Sequence, residues 1–94
     1  MVNYEVAYIL DPNLSEEALA ALTEKFSEQV RTLGGEIVGV DSWGKKRLAY
    51  VINGFNEGFY VIMRFKATSE GAAELGRVMK LTDGMIKSMM LRSN

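Results

Sequence analysis

Gly44-Lys45-Lys46-Arg47-Leu48-Ala49-Tyr50-Val51-Ile52-Asn53-Gly54 decides how the rest of the chain is arranged. The apolar run from Leu48 to Ile52 reads as strand. Asn53-Gly54 then turns the chain, because a tight hairpin turn needs positive φ at both central residues. Upstream, Ile37, Val38 and Val40 open the same strand, which would run to about Ile52. That is long for a strand, and Gly39 and Gly44 are the points where it can bulge and bend. Downstream, the stretch to Gly58 reads as the far end of the hairpin, and residues 59–65 return as a strand. Val61, Met63 and Phe65 fall on one face of it, and Tyr60, Ile62 and Arg64 on the other. Both faces are largely apolar, as in the middle of a sheet.

Working outward, residues 3–10 alternate. Tyr4, Val6, Tyr8 and Leu10 share one face; Asn3, Glu5, Ala7 and Ile9 share the other. Asp11-Pro12-Asn13 ends this strand. Ser15 is placed to cap a helix, with Glu16 and Glu17 in the first turn, where the helix dipole favours anions. Leu19, Leu22, Phe26, Val30 and Leu33 make one apolar stripe, and Gly34-Gly35 ends the helix. Thr68 or Ser69 caps a second helix whose stripe is Ala72, Leu75, Val78 and Met79. Asp83-Gly84 turns into a last strand over 85–91. The order β-α-β-β-α-β, with right-handed crossovers, gives an α+β ferredoxin-like split βαβ sandwich. Four antiparallel strands would lie in the order fourth-first-third-second, both helices covering one face. The other face would be bare, lined by Ala7, Ile9, Tyr60, Ile62, Met89 and Leu91. So apolar a patch implies a partner.

At 94 residues the chain is expected to form one domain spanning 1–94. It has no cysteine and no histidine, which removes disulfides, thiolate metal sites and the usual neutral-pH general base. No cofactor or metal is expected. The start carries no signal-peptide pattern, and no apolar run approaches the ~20 residues of a membrane span. A soluble cytoplasmic protein is expected, with no membrane association. Charge is divided unevenly. Residues 1–41 hold two cations against eight anions, a net −6, while the remainder is +5. One face is thereby suited to an anionic partner.

Enzyme chemistry finds little support. The serines lack a histidine to activate them, and Glu16 and Glu17 diverge on their helix. Acylphosphatase shares this topology, but its phosphate-cradling loop is replaced here by Asp11-Pro12-Asn13. RNA recognition motifs share it too, yet the bare face offers only Tyr60 for stacking bases. A small-molecule-sensing regulatory dimer is the alternative. It would need polar, glycine-containing loops converging at helix and strand ends. Lys45, Lys46 and Arg47 read either as charges guarding an edge strand or as phosphate contacts, sequence-independent and salt-sensitive.

The segment from Gly44 to Asn53 resembles the signature of the bacterial small-subunit (30S) ribosomal protein six family. There a glycine, basic residues, Leu-Ala-Tyr and then an isoleucine recur at this spacing. Tyr4-Glu5 before an apolar strand, and Asp11-Pro12-Asn13-Leu14, resemble that family's start. The resemblance extends to about Arg92. It implies a non-enzymatic component of the 30S platform that binds 16S rRNA as a heterodimer with small-subunit ribosomal protein eighteen, with no small-molecule substrate. On this reading Lys45, Lys46 and Arg47 meet RNA phosphate. Ile9, Tyr60, Ile62 and Met89 meet the protein partner, while Leu48 and Tyr50 anchor the strand. The chain departs from the family at Val2-Asn3, where members often carry basic residues.

Overall fold

Residues 1–93 are described by a computed structural model. The elements are β1 (Val2–Leu10), α1 (Glu16–Thr32), β2 (Glu36–Ile52), β3 (Phe55–Ala67), α2 (Ser69–Lys80) and β4 (Met85–Ser93). They build a four-stranded antiparallel sheet in the order β2-β3-β1-β4. This is the expected ferredoxin-like arrangement, with β2 and β4 at the edges.

Local chemistry sets the element ends. The Ser15 hydroxyl accepts from the Ala18 N–H at 3.1 Å, and the Thr68 hydroxyl accepts from the Gly71 N–H at 3.0 Å, each satisfying an orphan donor of its helix. Asn53 and Gly54 both have positive φ, 49° and 83°, as the two-residue turn demands. That tight turn lets β3 begin at Phe55, four residues before the apolar alternation that marks it in sequence. Gly35 is needed for a different reason: a Cβ there would collide with the Lys66 carbonyl oxygen.

The main core lies between the helices and one face of the sheet. Val6, Tyr8, Leu10, Val61, Met63 and Phe65 from the strands meet Leu19, Phe26 and Val30 of α1 and Ala72, Leu75 and Met79 of α2. Tyr8 and Phe26 meet edge to face, their centroids 5.2 Å apart, and Tyr4 stacks on Phe65 at 5.6 Å. The Tyr8 hydroxyl is buried with no hydrogen-bond partner among the described residues. The Thr23 hydroxyl beside it donates to the Leu19 carbonyl instead. Burial pushes the Tyr8 phenol up to about 12, and proximity to Thr23 only partly offsets that.

Candidate nucleic-acid interface and partner face

The basic cluster sits on the distal half of β2, and the shape of that strand comes from its bulges. Pairing with β3 slips between Ile37 and Gly39, and again between Ser42 and Gly44. The extra residues are therefore Val38 and Trp43, each followed by a glycine. Gly44 has φ 77° with open space where its Cβ would be, so its role is conformational: it permits the bulge. Beyond it Lys45, Lys46 and Arg47 pair with Phe59, Gly58 and Glu57, and all three side chains are exposed. None is in an ion pair among the described residues. Alternation sends Lys46 to the side opposite Lys45 and Arg47. Lys45 faces a small polar groove shared with Pro12 and Asn13 of the β1–α1 turn.

Between Arg47 and Ile52 the pairing is irregular, and the hairpin curls over the sheet face that the helices leave bare. Leu48 is carried inward to 8% exposure and joins Ile9 and Ile86, with Ile52, Phe55 and Tyr60 packed around them. Ile86 reaches this group because β4 is out of step with β1 between Ile9 and Leu10. Gly58 allows the approach, since a Cβ there would overlap the Ile9 side chain. Two polar links reinforce the clasp. The Asn53 amide donates to the Ile86 carbonyl at 3.2 Å, and the Lys87 ammonium donates to the Tyr50 hydroxyl at 3.4 Å while lying 5.8 Å from its ring centre.

The clasp divides the bare face in two. At the hairpin end Ile9 is 6% exposed beneath Leu48, so it supports the hairpin in this conformation, and Tyr60 is half-buried beside it. At the other end Ile62 and Met89 flank Ala7 in register. Ile62 is half-buried, and Met89 is 52% exposed with Leu91 at 64%. The structure thus brings Ile62 and Met89 together as an open strip and groups Ile9 and Tyr60 with the hairpin. Leu48 anchors the strand as expected. Tyr50 does not: it is 64% exposed, and its hydroxyl and ring are engaged by Lys87.

Features absent from the sequence reading complete the face. Arg64 bridges Asp41 at 2.9 Å and Glu5 at 3.3 Å. Asp41, and Glu5 after it, hold the guanidinium above its ordinary range. This ion-paired triad borders the open strip, because Glu5 pairs with both Arg64 and Leu91. Period-2 alternation puts these residues on one face, but only the strand order makes them neighbours. Trp43, 55% exposed at its bulge, also went unread; a lone tryptophan before a glycine in a bulging strand was the available signal. Among the described residues no group of His, Cys, Asp and Glu could hold a metal ion. Nor, among the described residues, is any helix long and apolar enough to cross a membrane.

Comparison with known proteins agrees with this architecture over nearly the whole chain. The family described as ribosomal protein S6 matches residues 3–92. A small ribosomal subunit protein bS6 from Desulforamulus reducens is 50% identical over 92 residues, covering 98% of this chain and 97% of the relative. Another from Moorella thermoacetica is 44% identical over 92 residues, covering 98% and 94%. The crystal structure of 30S ribosomal protein S6 from Thermotoga maritima superposes with a TM-score of 0.93 at 29% identity, covering 98% of this chain and 87% of that one. The chain belongs to the ribosomal protein S6 family and is a structural protein of the small subunit of the cytoplasmic ribosome.

Proposed function

We propose that this chain binds 16S ribosomal RNA in the platform of the small subunit, as a heterodimer with small-subunit ribosomal protein eighteen. Lys45, Lys46 and Arg47 contact phosphate, and the open strip of Ile62 and Met89, bordered by Tyr60, receives the protein partner. The observation that carries the reading is the clasped hairpin. Leu48 ties three exposed cations to the sheet, so they are presented on a fixed support beside an apolar face left uncovered. A net charge of −1 predicts weak RNA binding by the chain alone and a gain from a basic partner, because phosphate contacts dominate such affinities.

The test is binding to a 16S central-domain RNA fragment across a salt series, with and without protein eighteen. Tight binding is expected only with the partner. Replacing Lys45, Lys46 and Arg47 by alanine should weaken it and flatten its salt dependence; unchanged binding removes the phosphate assignment. Ile62→Asp should leave the fold intact and abolish the heterodimer. If it unfolds the chain, the partner face has been misassigned.

A further inference from the structure

A groove of about 450 Å³ opens between α1 and the strands β2 and β3. Ser42 on its strand side pairs with the core residue Val61, so the groove lies on the helix-covered side of the sheet, opposite the open strip of Ile62 and Met89. Leu19, Ala20 and Thr23 of α1 line it together with Ser42 and Phe59, and Glu16 and Glu24 complete its α1 wall. We infer that this groove docks an extended, basic segment of another protein, seating one apolar side chain between two cations.

The occupant follows from charge and spacing. Glu16 and Glu24 are the first and last residues of α1 along this wall, separated by about 12 Å of helix at 1.5 Å per residue. The apolar Leu19 and Ala20 lie between them, with Phe59 across the groove. In an extended chain residues i, i+2 and i+4 share a face, and i to i+4 spans about 13 Å. A segment of the pattern arginine, any residue, leucine, any residue, arginine therefore sets one guanidinium at each carboxylate and the leucine on the apolar floor. The same carboxylates repel phosphate, so RNA does not fit here.

Both carboxylates are free to take a cation. Glu16 is in no ion pair among the described residues. Glu24 meets Arg31 at 3.5 Å, but Arg31 is closer to Glu28, at 3.1 Å, and exposed pairs of this kind hold weakly. The Thr23 hydroxyl is spent on the Leu19 carbonyl at 3.0 Å, which keeps that wall apolar. Lys45 pairs in register with Phe59 but lines the neighbouring groove at Pro12 and Asn13. Residues 1–41, which include α1, carry a net −6, a field that draws cations to this side.

The experiment titrates the isotope-labelled full chain with a synthetic capped pentapeptide (arginine, alanine, leucine, alanine, arginine) and follows backbone amide shifts by NMR. Saturable shifts are expected at Leu19, Ala20, Ser42 and Phe59. Glu16→Gln/Glu24→Gln removes both carboxylates, and Ala20→Lys places a cation in the groove. All three positions are exposed, and circular dichroism confirms that each variant folds. Each should weaken binding about fivefold or more, as should raising the salt or replacing the peptide's leucine by alanine. No saturable shift at these amides overturns the inference, and so do both variants binding like wild type. Spermidine, a cation without an apolar anchor, should leave the amides in place. If it shifts them as strongly as the peptide, the groove takes small polyamines and the protein assignment is wrong. Shifts at these amides that follow the concentration of the unmixed chain would put a second copy in the groove and overturn it as well. No RNA is present, so failure here leaves the proposed function standing.

Discussion

Leu48→Ala tests whether the hairpin is fixed to the sheet. Leu48 is 8% exposed, and its neighbours Ile9 and Ile86 are buried to 6% and 8%. Truncation removes three carbons from a small apolar cluster and leaves a void that Gly58 cannot fill. Leu-to-Ala changes in cores cost about 2–5 kcal/mol. This cluster lies at the margin of the sheet, where the hairpin can settle inward, so about 2–3 kcal/mol is expected. For a domain of this length that lowers the melting temperature by roughly 8–20 °C. Urea denaturation followed by far-ultraviolet circular dichroism reads the global change. Fluorescence of Trp43, the single tryptophan, reads the hairpin, because it lies at the bulge where the basic segment begins. Hydrogen exchange should show the amides of β2 beyond Gly44 losing more protection than those of β1. Tyr50→Ala is the control. At 64% exposure it should change stability by no more than about 0.5 kcal/mol. A loss below about 0.5 kcal/mol for Leu48→Ala would refute the reasoning, since the hairpin would then stand free of the sheet and its cations would be on a mobile arm.

Two further predictions concern the rest of the molecule. Tyr8→Phe deletes a buried hydroxyl with no partner among the described residues, so it should raise stability in neutral solution by about 1 kcal/mol; a loss would mean that the hydroxyl is satisfied. Because the folded phenol is pushed up to about 12 from 10.0, the wild type should also lose roughly 2–3 kcal/mol as pH rises from 10 to 12. The Phe variant should escape that part of the loss, read as the difference between their alkaline denaturation curves. Gly76→Ala should stabilise α2 by about 0.5–1 kcal/mol, since its methyl meets nothing closer than the Met90 methyl at 3.9 Å; a measured destabilisation in thermal melts would show that Met90 closes on this position.

Much of this protein is determined locally. The alternation in residues 3–10, the caps at Ser15 and Thr68 and the Asn53-Gly54 turn depend on interactions a few residues apart, so they are legible in sequence. So is the resemblance centred on Gly44 to Asn53, because a motif is read along the chain. Even the sheet order follows from sequence, since the handedness of the crossovers leaves few alternatives.

Tertiary structure decided what lies over what. Alternation placed Ile9 with Ile62 on one face, but it could not show that Leu48 returns to cover Ile9 and leaves Ile62 and Met89 open. That outcome depends on bulges at Val38 and Trp43 and on the irregular pairing after Arg47, whose bends add up along a strand of 17 residues. The two carboxylates around Arg64 and the groove of Arg77, Lys80 and Arg92 join residues from different elements. Neither has a sequence signature, because short-range periodicity reports which way a side chain faces and carries no information about which distant residue it meets.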